Sequence, residues 1–210
     1  MASVVSLPEQ KVILQNISWE TYERLLAEHQ ENSGTHFVFD NGRLEIMVLS
    51  SKHEKLSRTM AVLVEVLAEE LGIDIANFGS TTFKNQALER GFEPDSSFYI
   101  QNEERVAGKE ELDLTVDPPP DLIIEVDITS PSLNWFPIFA VFGVSEVWCY
   151  QNGQVTFYKL EADKYVETKA SIAFSNVTSD LITKLVELSQ QVKRTVWLRQ
   201  VRESMRAIKS

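Results

Sequence analysis

The sequence predicts a mixed α/β (α+β) fold in which a central mixed β-sheet is flanked by helices. Asn-Gly dipeptides at 41–42 and 152–153 each join two β-rich runs, and this is the strongest short signal for a β-hairpin. An apolar run at 121–128 is followed by a short helical segment and a further strand, which forms a strand–helix–strand unit. Helical periodicity covers residues 51–71 and about 179–208.

In the N-terminal half, residues 1–15 are expected to form an extended arm. Ser18 precedes a short capped helix, and residues 35–48 form the first hairpin, an addition to the central sheet. After Ser51, apolar residues recur three and four positions apart, which predicts an amphipathic helix of about five turns. Gly72 is placed to end that helix.

The remaining elements follow from apolar runs separated by turn residues. A polar, acidic stretch that ends in three prolines predicts a long surface loop. In chain order we predict strands at 73–78 and 80–85, a turn that enters a further strand within 91–100, the loop at 102–120, a strand at 121–128, a helix from about 133 to 142, a hairpin at 145–160, a strand at 163–169 and helices over 179–208. All 210 residues are assigned to one domain.

Composition indicates a soluble cytoplasmic protein. Cys149 is the single cysteine, which excludes an internal disulfide and fits a reducing compartment. No apolar run of about 18 residues is present, and residues 1–10 lack the pattern of a secretory signal peptide. We therefore expect no membrane partner.

The net charge of −11 argues against strong non-specific binding to nucleic acid. Residues 193–210 differ from the rest, because they contain six basic residues against Glu203 alone. This segment has two interpretations: a solvated helical face that balances the acidic body, which we favour, or a helix that contacts phosphate.

The apolar strand at 121–128 contains three carboxylates. Asp121, Glu125 and Asp127 alternate with apolar residues, so the three side chains should point to the same side of the strand. Like charges in such a strand require a positive partner. A divalent cation such as Mg²⁺ would meet this need, and an ion pair between Glu125 and Arg90 is the structural alternative.

Two further carboxylates are candidates for the same site. Asp95 follows Pro94 at the entry to a strand, where it could also simply begin a turn. Glu54 lies at the start of the long helix, three residues after Ser51, which is also a capping-box spacing. Local sequence leaves both alternatives open.

The order of several motifs resembles a known family. Pro94-Asp95, followed about thirty residues later by Glu125, resembles the PD-(D/E)xK nuclease superfamily, which has the restriction-endonuclease-like fold. Four blocks, "HE" at 53–54, "GFEPDSSFYI", "PDLIIEVDITSPS" and "GVSEVWCY", are similar to the Uma-two family within it, over about 17–196. The resemblance implies an endonuclease that uses Mg²⁺ or Mn²⁺ to hydrolyse phosphodiester bonds in DNA.

The resemblance also implies roles for individual residues. Asp95 matches the first metal-binding aspartate, Glu125 the acidic residue of the second strand, and Glu54 a helix acid that completes the metal shell. His53 occupies a family position without an assigned role, and Asp127 is a candidate for an additional ligand. The strands of Asp95 and Glu125 should lie at the centre of the sheet.

The family's lysine is missing. Its superfamily position, two residues after the strand glutamate, is Asp127, and its family position, eight residues before Gly143, is Trp135. Lys84 could reach the site from elsewhere. Two hypotheses follow: an endonuclease whose activity is weakened or lost, or a catalytically inactive nuclease fold that serves binding or assembly.

The quaternary state is predicted from the tryptophans. The chain has four tryptophans, which together offer enough apolar area for a subunit interface, although all four could equally be core residues. On this basis we expect a homodimer. The tryptophans are Trp19, Trp135, Trp148 and Trp197.

Overall fold

The computed structural model describes residues 10–29, 34–128 and 135–209. The helices are α1 (Trp19–His29), α2 (Ser51–Leu71), α3 (Glu103–Val106), α4 (Phe136–Phe142), α5 (Ser179–Gln191) and α6 (Arg194–Lys209). The strands are β1 (Gln10–Leu14), β2 (Thr35–Asp40), β3 (Arg43–Val48), β4 (Ala76–Gly79), β5 (Phe83–Asn85), β6 (Arg90–Phe92), β7 (Ser96–Tyr99), β8 (Leu122–Asp127), β9 (Glu146–Gln151), β10 (Gln154–Glu161) and β11 (Lys164–Thr168).

The strands form two sheets. Sheet A has the order β1-β3-β2-β6-β5, and all of its neighbouring strands are antiparallel. Sheet B has the order β11-β10-β9-β8-β7-β4 and is mixed, because β8 and β9 run parallel while its other neighbours are antiparallel. The predicted mixed α/β class is confirmed. The second sheet was not predicted: the first hairpin does not extend the central sheet but lies in sheet A.

Both predicted Asn-Gly hairpins are present. Asn41 and Gly42 have φ values of 47° and 83°, and Asn152 and Gly153 have 52° and 84°. Positive φ at both turn positions gives the twist that connects two antiparallel strands by a two-residue loop. The first turn joins β2 to β3, and the second joins β9 to β10.

Three apolar clusters order the elements into layers. Helix α1 covers the outer face of sheet A through a cluster that includes Trp19, Tyr22 and Phe39. A second cluster, with Val38, Ile123 and Phe139, fills the space between the two sheets. A third packs α2, α5 and α6 against the other face of sheet B. Burial of these side chains is the main stabilising term of the fold.

The chain crosses between the two sheets just before β7. Strand β6 belongs to sheet A and β7 to sheet B, so residues 93–95 connect the sheets. Asp95 therefore lies at the edge of the inter-sheet core. Strand β8 is central in sheet B, as expected for the strand of Glu125. Strand β7, which follows Asp95, pairs with β8 but is second from the edge of the sheet rather than at its centre.

Helix α2 begins one residue earlier than a Ser51 cap would require. Ser50 is the N-cap, with extended backbone, and its hydroxyl accepts a hydrogen bond from the His53 amide at 3.2 Å. The third helical position is therefore His53, and the capping-box interpretation of Ser51 and Glu54 is wrong. Gly72 ends the helix with φ 71°, as predicted.

Several terminal and loop predictions can be compared with the structure. Residues 10–14 of the predicted arm form β1 at the edge of sheet A, and residues 1–9 lie outside the described residues. The long loop contains the short helix α3. The first residues predicted for the helix at 133–142 also lie outside the described residues, and α4 begins at Phe136. Helices α5 and α6 match the prediction over 179–208.

The tryptophans and the basic C-terminal segment have structural roles. All four tryptophans are buried in the core, so they provide no exposed interface. On α6, Arg202 pairs with Glu69 at 3.0 Å and Arg206 with Glu70 at 2.9 Å, which agrees with a basic face that balances acidic residues. No helix among the residues described combines the length and apolar character needed to cross a membrane.

Candidate functional site

Asp95 and Glu125 are adjacent because of the pairing between β7 and β8. Ser96 lies opposite Ile124 in this antiparallel pair, so continuing the register by one residue places Asp95 opposite Glu125. The Asp95 carboxylate also accepts a hydrogen bond from the backbone amide of Val126 at 2.7 Å. Asp95 is only 9% exposed, and its orientation is determined by the neighbouring strand. The structure therefore brings these two predicted site residues together.

Two buried histidines contact the Asp95 carboxylate. His53 Nε2 from α2 lies 3.2 Å from one oxygen, and His36 Nδ1 from β2 lies 3.7 Å from the other. One turn after His53, the Ser57 hydroxyl donates to the Asp95 carbonyl oxygen at 3.2 Å. Asp95 is thus held by sheet B, sheet A and α2 together.

Sequence reasoning missed His36. The residue alternates with Phe37 along β2 and lies on the same face as Val38, which belongs to the inter-sheet cluster. Alternation could have placed His36 on an inner face, but only the second sheet brings that face to Asp95. Burial lowers the pKa of His36 and outweighs the Asp95 carboxylate, which acts in the opposite direction.

Glu125 has an unusual environment. Its Oε1 atom is shielded from solvent and has no hydrogen-bond partner within the described part of the chain. Burial raises the pKa of Glu125 well above its ordinary value, and the charges of Asp95 and Asp127 raise it further. This carboxyl therefore keeps its proton to higher pH than an ordinary glutamate when no cation is present.

The other carboxylates of this strand are satisfied by neutral donors. Asp127 accepts from the Gln151 side chain at 2.8 Å. Asp121 accepts from the backbone amides of Ile100 and Asn102 at 2.7 and 2.9 Å, which secures the chain after β7.

The ion pair proposed as the structural alternative for Glu125 is absent. Arg90 instead donates to Asp40 at 2.8 Å. Within residues 10–29, 34–128 and 135–209, no Lys or Arg forms an ion pair with Asp95, Glu125 or Asp127. The positive partner predicted for the carboxylates of β8 is therefore not a Lys or Arg side chain of the described residues.

Three predicted site residues lie in other surroundings. The Glu54 carboxylate bonds to Arg58 one turn along α2. Lys84 pairs with Glu23 at 3.0 Å near the surface. Trp135 is 8% exposed and packs in the inter-sheet cluster with its ring edge-on to Phe139.

The carboxylate pair fits a divalent cation in charge and chemistry. Asp95 and Glu125 supply hard oxygen atoms, and Glu125 Oε1 has no hydrogen-bond partner among the residues that the structure describes. In the described ranges, no group of three or more His, Cys, Asp or Glu side chains is arranged to hold a metal ion. The protein would therefore contribute two carboxylates and leave the remaining positions to water and substrate, a division that Mg²⁺ tolerates well.

Comparison with known proteins identifies a family and a similar solved structure. A family model described as "Putative restriction endonuclease" matches residues 19–191. A crystal structure described as a putative nuclease belonging to DUF820 from Anabaena variabilis is similar, with a TM-score of 0.44 and 14% identity over 77% of this chain and 90% of that chain. No curated protein matches the chain.

Proposed function

The chain belongs to the Uma2 family, and from this membership we propose that it is a divalent-metal-dependent endonuclease that hydrolyses phosphodiester bonds in DNA. The family description supports the restriction-endonuclease-like character. The metal, the DNA substrate and the residue roles are our proposal. Asp95 and Glu125 are the residues that would hold Mg²⁺ or Mn²⁺.

One structural observation is the main support for this proposal. The inter-sheet edge holds two adjacent carboxyl groups, and one of them has a shielded oxygen with no partner in the described residues. A buried, unpartnered carboxyl oxygen is costly, so a fold keeps one where a ligand satisfies it. The chemistry that a divalent cation supplies there when bound is polarisation of the phosphodiester and activation of a water molecule.

Neighbouring residues fix the orientation of the Asp95 carboxylate and set the charge around the carboxyl pair. The Val126 amide and His53 hold the Asp95 carboxylate in a single orientation. His36 is held largely neutral at neutral pH, because burial lowers its pKa, so it adds little positive charge that would compete with a cation. Burial raises the pKa of Glu125, and a cation binds the ionised carboxylate, so cation binding should weaken as pH falls.

A second candidate function rests on Trp135. A buried tryptophan occupies the position where the family resemblance places a lysine, and it fills the core beside Phe139. Loss of a donor beside the reacting group typically costs about 3–4 kcal/mol of transition-state stabilisation. A nuclease fold that binds DNA or assembles without cleaving it is therefore the alternative.

Cleavage of supercoiled plasmid separates the two functions. We expect the wild type to nick plasmid with Mn²⁺ or Mg²⁺, and we expect Glu125→Gln and Asp95→Asn to lose that activity. Glu28→Gln, which changes an exposed carboxylate on α1, is the matched control and should retain it. Nicking that persists in Glu125→Gln would refute the assignment of this residue. A folded wild type without activity would favour the non-catalytic function.

A further inference from the structure

One edge of sheet A is open to a further strand. Strand β1 ends the order β1-β3-β2-β6-β5, and no strand among the described residues pairs with its outer side. An edge strand of this kind presents a row of backbone N–H and C=O groups to which another strand can bind.

Exposed apolar side chains concentrate at the same edge. Val12, Ile13 and Leu14 of β1 are 53%, 40% and 37% exposed, and Val48 of β3 is 49% exposed. Val12 lies opposite Ile46, which packs in the cluster beneath α1, so Val12 and Leu14 are on the face that α1 covers elsewhere. Alternation places Val48 on this face as well. We call the feature formed by Val12, Ile13, Leu14 and Val48 the β1 edge.

The other three sheet edges carry features that discourage further pairing. Strand β5 has only three residues and includes Lys84. Strand β4 has a register shift between Asn77 and Gly79. Strand β11 carries Lys164 and Glu167. Proteins protect their open edges with short strands, bulges and charges, so the unprotected β1 edge indicates a strand that is covered in the working state of the protein.

The single charge of β1 is already compensated. Lys11 is the only charged residue of the strand, and its Nζ lies 3.4 Å from Oε1 of the buried Glu45. A second strand that approaches β1 therefore meets apolar side chains and a neutralised lysine.

The strand that fits this edge is β1 of a second copy. It must offer apolar residues at alternate positions and no positive charge opposite Lys11. In an antiparallel pair related by a twofold axis through Val12, all five residues of β1 pair, and Lys11 lies opposite the partner's Ile13. A register centred on Lys11 would instead place two lysines opposite each other, which is unfavourable.

We propose that the β1 edge is a homodimer interface in which two copies join their five-stranded sheets A into one ten-stranded sheet. The pairing satisfies the open backbone edge and removes the apolar side chains of β1 from water. This interface uses none of the four tryptophans, which are core residues. The dimer does not depend on the proposed nuclease activity.

Sedimentation velocity over a range of protein concentrations tests the dimer. The wild type should reach about 48 kDa, twice the 23.9 kDa of one chain. Val12→Lys should raise the dimer dissociation constant by at least about ten-fold, because it removes two apolar contacts and places like charges opposite each other. Val116→Lys makes the same change at a position that is 71% exposed and outside β1, and it should dimerise like the wild type.

A disulfide tests the register and does not depend on the folding of Val12→Lys. Residues opposite each other in an antiparallel pair have Cα atoms about 4.5–5.5 Å apart, which is within disulfide reach. Val12→Cys should therefore form a disulfide-linked dimer on mild oxidation, whereas Val116→Cys should not, and both proteins keep the native Cys149.

Two results would overturn the proposal. One is a wild type that stays at 23.9 kDa at every concentration, which would leave the β1 edge to a strand from another protein. The other is equal cross-linking of Val12→Cys and Val116→Cys. Neither result bears on plasmid nicking, so the proposed function would stand or fall separately.

Discussion

Replacing Glu125 by Gln should stabilise the protein at neutral pH when no divalent metal is present. The substitution keeps the shape of the side chain and removes an ionisable group whose pKa is raised by burial and by the charges of Asp95 and Asp127. A glutamine can also donate its amide protons to these neighbouring carboxylates. The variant therefore retains the packing while the free-energy cost of a buried negative charge disappears.

The size of the effect follows from proton linkage. The pKa of Glu125 is higher in the folded state than its reference value of 4.5, so between the two pKa values the folded state binds more protons than the unfolded state. Wild-type stability must then fall as pH rises through this window, by up to about 1.4 kcal/mol per pH unit for one proton. Because Asp95 and Glu125 interact, the titration belongs to the pair.

Urea denaturation in EDTA between pH 4 and pH 8 measures how the unfolding free energy of each protein depends on pH. The difference in unfolding free energy between Glu125→Gln and wild type should be small near pH 4, grow with pH and reach a plateau above the folded-state pKa. Glu28→Gln, at an exposed site, should follow the wild type at every pH. Curves for wild type and Glu125→Gln that stay parallel over the whole range would refute the reasoning.

Four further substitutions, at three positions, test the core and the surroundings of the site. His53→Ala removes a buried partner of Asp95 and should lower the unfolding free energy in urea by about 1–3 kcal/mol; an unchanged midpoint would contradict this role. Gly91→Ala would place a methyl group against the buried Tyr22 ring and hydroxyl, so the same assay should show a loss of about 1–3 kcal/mol unless α1 can move away. Trp135→Lys should lower the unfolding free energy by at least about 3–5 kcal/mol, because it removes a core ring and buries a charge. Trp135→Phe should fold and retain the wild-type nicking rate. A stable Trp135→Lys protein would show that the ring is not a core element.

The adjacency of Asp95 and Glu125 could be predicted because it depends on strand pattern. A glutamate inside an apolar strand leaves a clear signal in the sequence, whereas the Pro-Asp pair becomes informative only together with the order of the other motifs. The alternation of side chains then restricts where the carboxylates can point. The antiparallel register of β7 and β8 then places the two residues opposite each other.

The partners of Asp95 could not be predicted in full, because they depend on long-range packing. His36 is 59 positions before Asp95 in the chain and reaches it only because sheet A packs against sheet B. The sequence pattern of β2 and β3 predicts a hairpin but not the sheet to which the hairpin belongs. The pairing of Arg90 with Asp40 has the same origin, since β6 lies beside β2.

The position of Trp135 shows a different limit of motif comparison. Counting eight residues back from Gly143 gives the position that the resemblance assigns to a lysine, but the count does not indicate whether the side chain there faces a pocket or the core. In the structure the ring lies between the sheets, packed with Phe139. A lysine at this position would need a different local arrangement, so we expect that a Trp135→Lys exchange alone would not place its ammonium group at the carboxylate pair.

Isothermal titration calorimetry with Mn²⁺ tests the central claim most directly, because it detects the cation at the carboxylate pair without relying on catalysis. The wild type should bind Mn²⁺, and any proton that Glu125 carries at the assay pH should be released on binding and appear as a dependence of the heat on the buffer's ionisation enthalpy, because burial raises the pKa of this carboxyl. Glu125→Gln should show neither the binding nor the proton release. Mn²⁺ binding of equal strength in both proteins, or none in a folded wild type, would contradict the account.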